Sequence, residues 1–118
     1  MSKEVYLNEV ESTTINEERV SQIENLYKTK LSELVKKIIS HADRASFFED
    51  ERRALTYSEI INPLDSLGCD FISLNLIPII DVYDNTYIVF DYMHNTWGEY
   101  NISDEILFNE SNTFQELL

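Results

Sequence analysis

Apolar residues along this chain change their spacing near Gly68. Before it they fall at helical intervals; after it they come in short β-branched and aromatic runs separated by polar turns. Val20, Ile23, Leu26 and Tyr27 share one helical face, and Asn16 stands where its side chain can accept a backbone N–H. Glu17 and Glu18 suit the positive N-terminal end of that helix. Tyr27-Lys28-Thr29-Lys30 loosens the pattern, and a second helix follows with Leu31, Leu34, Val35, Ile38 and Ile39 on one face. Lys36 and Lys37 face outward near its C-terminal end, where cations are favoured. Two short helices with a short join predict an antiparallel pair. Residues 1–15 are polar with little periodicity and predict a flexible N-terminal arm, with Val5, Tyr6, Leu7 and Val10 as docking points.

Residues 41–50 are mixed: Phe47 and Phe48 call for burial, whereas Glu49, Asp50 and Glu51 prefer water. Residues 53–56 predict a short strand. Thr56 or Ser58 then opens a turn of helix through Glu59, Ile60 and Ile61 that ends before Pro63. Residues 63–68 read as a turn, or a single helical turn stopped by Gly68. Residues 76–82 predict a buried strand with Pro78 at an edge or bulge, Asp84-Asn85 a turn, and residues 86–92 a second strand. His94-Asn95 turns again before a strand at 97–101 and a fourth at 102–108, with Ile106 and Phe108 on one face. Ser111 or Asn112 caps a last helix carrying Phe114, Leu117 and Leu118. Helices first, then a meander of strands, then a helix predict an α+β fold: an N-terminal helical hairpin packed on a twisted antiparallel β-sheet, with a short C-terminal helix. Residues 16–118 form the single domain.

Composition agrees. At 118 residues the chain has room for one core, and 43 % apolar and 12 % aromatic content exceed what a disordered acidic chain carries. Charge adds more. The net charge of −13 is segregated: residues 1–40 hold 6 basic and 7 acidic residues, residues 41–118 hold 3 and 15. From Ala54 onward there are 11 acids and no lysine or arginine. Such a field attracts basic partners and repels nucleic acid and anionic membrane. No apolar run approaches the ~18 residues that span a bilayer, and no secretory signal pattern opens the chain. Cys69, the only cysteine, has no partner for an internal disulfide, which fits a cytoplasmic protein. With 2 glycines and 2 prolines there is little material for a phosphate-cradling loop.

The run Leu76-Ile77-Pro78-Ile79-Ile80-Asp81-Val82-Tyr83-Asp84-Asn85-Thr86-Tyr87-Ile88-Val89-Phe90-Asp91, followed by Trp97 and by Asn101-Ile102-Ser103-Asp104-Glu105-Ile106-Leu107-Phe108, resembles the SUKH superfamily, also called the Smi/Knr family. Those proteins order a helical hairpin, an "IPI"-like strand, a D-N turn, a strand ending in "YD", a tryptophan strand and a C-terminal helix. Ser58-Glu59-Ile60-Ile61-Asn62-Pro63 sits where they carry an "EIL"-type segment. The resemblance runs from about Val20 to Leu118. Two features depart from the pattern: Leu31-Ser32 replaces the usual Leu-Pro, and the glycine-rich turn before the meander is reduced to Gly68. The resemblance implies an α+β fold and, in bacteria, an immunity protein that binds and blocks the toxin domain of a kin-directed effector, in many cases a nuclease. It implies no catalysis and no cofactor. Eukaryotic relatives are scaffold-like regulators of cell-wall synthesis.

A hairpin could bring Asp81 and Asp91 near each other with Asp84 at the turn end, and carboxylate oxygens suit Ca²⁺ or Mg²⁺. The alternating ligands around a glycine that a calcium loop needs are missing. Asp84 is then a turn cap and Asp91 a strand terminator. His41, His94 and Cys69 fall in three separate contexts, short of a zinc ligand set, with His94 a solvated turn residue. Cys69 beside Asp70 is a poor nucleophile, since negative charge opposes the thiolate. Tyr87, Val89 and Asp91 share one strand face, mixing tyrosine with acid as a wet binding surface does. The expected partner-binding residues are Asp81, Asp84, Tyr87, Asp91, Glu99 and Tyr100, with Asp70 and Asp104 at the rim. The expected function is neutralisation of a cognate basic toxin domain, without enzyme activity, metal, nucleic acid or membrane. The alternative is an intracellular scaffold or cell-wall-synthesis regulator that recruits a basic protein. The sequence leaves the oligomeric state open.

Overall fold

The computed structural model describes residues 1–43 and 46–118. Three helices come first: α1 (Lys3–Glu11), α2 (Glu17–Tyr27) and α3 (Glu33–His41). Six antiparallel strands follow, each beside the next: β1 (Ser46–Phe47), β2 (Arg53–Ala54), β3 (Leu76–Tyr83), β4 (Thr86–Asp91), β5 (Thr96–Asn101) and β6 (Ile106–Ser111). Short helices α4 (Tyr57–Ile61), α5 (Pro63–Leu67) and α6 (Phe71–Leu74) are inserted between β2 and β3, and α7 (Phe114–Leu117) follows β6. This is the expected α+β class, with helical hairpin, meander and short C-terminal helix. Arg44 and Ala45, inside the mixed stretch 41–50, lie outside the described residues.

The hairpin forms as its caps direct. Asn16 Oδ1 accepts from Arg19 N at 3.1 Å, and Ser32 Oγ accepts from Val35 N at 3.4 Å. α2 stops at Lys28 in the left-handed region (φ 57°), and Glu24 Oε2 accepts from Leu31 N at 2.9 Å across the join. Asn16 N donates to Ser40 Oγ at 2.7 Å and Arg19 Nη1 to Ser40 O at 3.3 Å, tying the start of α2 to the end of α3. Val20, Ile23, Tyr27, Val35, Ile38 and Ile39 are buried; Leu26, expected beside them, is exposed.

Residues 1–15 require a correction. Instead of an arm, residues 3–11 form α1, whose N-cap Ser2 accepts from Val5 N at 3.2 Å. Tyr6 and Val10 lie one turn apart and together make a narrow buried stripe, with Leu7 partly buried beside it and Val5 exposed. The Tyr6 ring meets Phe48 at 5.2 Å, His41 at 5.5 Å and Phe114 at 6.4 Å, and burial drives its phenol pKa up. Phe48 is buried, but Phe47, also expected inside, is 61 % exposed. Consecutive residues of an extended chain face opposite ways, and only one of the pair can point inward.

The sheet is an inner layer. Register places Trp97 opposite Phe90, and Tyr100 opposite Tyr87 on the other face. On the first face Trp97 lies 4.8 Å from Phe90 and 4.6 Å from Phe114, which continues to Tyr6. On the second, fully buried Phe71 sets its ring edge-on to Tyr87 at 5.6 Å and Tyr100 at 5.9 Å. Every residue of β4 is therefore buried. Helix α6, which supplies Phe71, was not foreseen; Asp70 Oδ1 caps it by accepting from Ser73 N at 3.3 Å. Pro78 does sit beside a bulge, where the β3–β4 register shifts between Pro78 and Ile80. The fourth strand of the meander starts at Ile106 rather than Ile102, because Asn101 Oδ1 accepts from Ser103 N and Asp104 N at 3.0 and 2.8 Å and forms a turn first. Thr113, not Ser111 or Asn112, occupies the N-cap of α7.

Of the two candidate caps for α4, Thr56 is used. It forms a capping box with Glu59, and Glu59 also takes two hydrogen bonds from Arg53, at 2.7 and 2.9 Å. Burial opposes charge on Glu59, yet the bonds from Arg53 and Thr56 outweigh it and hold the carboxyl below its ordinary pKa. A group so lowered stabilises the fold above its unfolded pKa of about 4.3, and the contribution is lost as pH falls through the folded value. Glu59→Gln should therefore cost stability at neutral pH, and the cost should shrink as pH falls below the unfolded value of about 4.3. Urea unfolding across that range checks this; an equal deficit at both ends would exclude a role for the charge.

Candidate interaction surface

The β3–β4 turn carries three successive positive φ angles, Tyr83 (98°), Asp84 (50°) and Asn85 (59°). Asparagine and aspartate tolerate this region better than most residues. The turn is laced to the β5–β6 turn beside it. Ile102 N donates to Asn85 O at 2.9 Å, Asn85 Nδ2 to Ser103 Oγ at 2.8 Å, and Asn101 Nδ2 to Asp84 O at 3.0 Å. Asp84, Asp104 and Glu105 thus project from one hydrogen-bonded block at one end of the sheet, and all three are exposed. A cleft of about 280 Å³ adjoins it, lined among others by Cys69, Asp70, Tyr100 and Glu105. Burial first, then the Asp70 and Glu105 carboxylates, push the Cys69 thiol pKa up.

Asp81 reaches this end only in part. Its carboxylate stands 3.5 Å from Arg53 and accepts from Tyr83 N at 3.2 Å, so an internal cation partly offsets it. Asp70, Asp84 and Asp104 have no cation partner among the described residues. The last arginine of the chain is held by Glu59 and Asp81, and Arg52 is held by Asp50 and by the carbonyls of Leu117 and Leu118.

The remaining expected contacts are corrected. Tyr87 and Tyr100 are each 7 % exposed, because Phe71 covers the face that alternation alone had left to water. Burial raises both phenol pKa values. Asp91 is 6 % exposed at the far end of β4; it accepts from Met93 N at 3.1 Å and His94 N at 3.2 Å, with His94 Nδ1 at 2.7 Å. It terminates its strand, as its simpler reading held. Asp81 pairs with Tyr87 and Asp91 with Leu76, so the hairpin separates these two acids rather than joining them. Glu99 is half-buried on the opposite face and accepts from Asn109 Nδ2 at 2.6 Å. No group of three or more His, Cys, Asp or Glu gathers in metal-binding fashion among the described residues.

Sequence reasoning passed over Glu105, whose place in the acidic end follows from the Asn101 turn, and the exposure of Ile106 and Phe108 on β6. No helix among the described residues is long and apolar enough to cross a membrane. Comparison with protein-family models, with curated proteins and with solved structures gives no match.

Proposed function

We propose that this chain is a cytoplasmic immunity protein that binds the basic surface of a cognate toxin domain, such as a nuclease, and occludes it. One observation carries the reading: Asp70, Asp84, Asp104 and Glu105 cluster at one end of the sheet with no cation partner among the described residues. The order of sequence motifs shared with SUKH proteins supports it independently. A surface of this charge competes with an anionic substrate for a cationic cleft and speeds encounter by steering.

The test pairs the wild type with a double variant, Asp84→Asn and Asp104→Lys. Asparagine is chosen at position 84 because φ is 50° there, where lysine would be strained. Association with the toxin domain encoded beside this gene should slow about tenfold at low salt. The difference should shrink towards 1 M salt, where the screening length falls to about 3 Å. Co-expression of wild type with that domain should rescue growth. Binding without rescue would favour the scaffold alternative; unchanged association rates would remove steering from the account.

A further inference from the structure

β6 is one of the two outer strands of the sheet, with β5 on one side and, among the described residues, no strand on the other. Its outer backbone groups are open to pairing. Lysine or proline commonly defends such an edge, yet residues 104–112 contain neither, nor any arginine. The defence present is a bulge: Asn109 has φ 52° and the β5–β6 register shifts between Trp97 and Glu99. That bulge confines the flat run to residues 106–108. Ile106 and Phe108 lie there on one face, 53 % and 38 % exposed, with Glu99 directly across from Phe108. Asp104, Glu105 and Glu110 flank the pair, none within 4.0 Å of a cation among the described residues.

Charge selects the occupant. A second copy pairing β6 against β6 would set these carboxylates against one another. A cationic strand meets both the open backbone and the uncompensated acids. We propose that the β6 edge accepts a short extended segment of the partner protein, carrying lysine or arginine, as an added strand, with an apolar partner side chain resting on Ile106 and Phe108. This rests on the basic-partner reading above and adds where and how the partner is held.

The probe is a capped six-residue peptide alternating lysine and valine, titrated at millimolar concentration into the ¹⁵N-labelled chain. Amide shifts should centre on residues 106–108 and their β5 neighbours, and amide exchange there should slow. A glutamate–valine peptide should leave the spectrum unchanged, and N-methylation of alternate residues should weaken the lysine peptide at least about tenfold by removing strand donors. Equal binding of the methylated peptide, or shifts centred on Asp84 and Asp104 instead, would overturn the proposal. A second arm uses Ile106→Lys with Phe108→Lys, whose thermal melt verifies folding. Toxin-domain binding should fall at least about tenfold. Undiminished binding would overturn the edge proposal while leaving the basic-partner reading intact. Failure of the wild type to bind any basic partner would remove that reading, and the peptide titration would still decide the edge.

Discussion

Phe71→Ala is expected to lower the free energy of unfolding by about 3–5 kcal/mol. The ring is fully buried and lies edge-on to two tyrosines, so its removal forfeits both contacts and opens a void over Tyr87 and Tyr100. A domain of this size holds about 5–15 kcal/mol in total, so the variant should fold yet unfold at much lower urea. A second readout is specific to the cover. Burial raises the phenol pKa of Tyr87 and Tyr100, and water admitted by the alanine should return their ionisation towards about 10 in an ultraviolet titration. A loss below about 1 kcal/mol with unchanged tyrosine titration would show that Phe71 does not close this face.

Tyr6→Ala is expected to cost about 3 kcal/mol or more. Tyr6 is 1 % exposed and its ring joins α1 to α3 through His41, to Phe48, and to α7 through Phe114. Val5→Ala supplies the contrast, since Val5 is exposed on the same helix and should change stability by no more than about 0.5 kcal/mol. Urea unfolding of both variants separates a docked helix from an arm: an arm would make the two substitutions equally silent.

These two positions mark where sequence reasoning stopped. Phe71 stands in Phe71-Ile72-Ser73-Leu74, too short for a helical period to register, and nothing local says which sheet face it meets. In α1 only Tyr6 and Val10 of the four apolar residues Val5, Tyr6, Leu7 and Val10 share the buried face, a stripe of two that periodicity cannot tell from chance. Without Phe71, the alternation Tyr87-Val89-Asp91 looks like a wet face when it is an interior one. Two of the expected contact residues, Tyr87 and Tyr100, are lost to that cover, and Asp91 is lost to the turn whose Met93 and His94 amides it accepts from. Asp70, Asp84 and Asp104 remained at the surface because each stands in a turn or at a helix start, where local polarity alone keeps side chains in water.

The local elements follow from the order of residues alone. Asn16, Ser32 and Thr56 cap their helices through their own side chains, Asp84-Asn85 turns the hairpin, and β-branched runs make the strands, since each needs only residues a few positions apart. So does the negative charge of the chain after Arg53, which has no lysine or arginine to offset it. Which faces are covered, which acids Arg53 compensates and which strand lies at the edge depend on the folded chain. Those outcomes depend on contacts such as Phe71 with Tyr100 and Tyr6 with Phe114, between residues whose meeting no local spacing encodes.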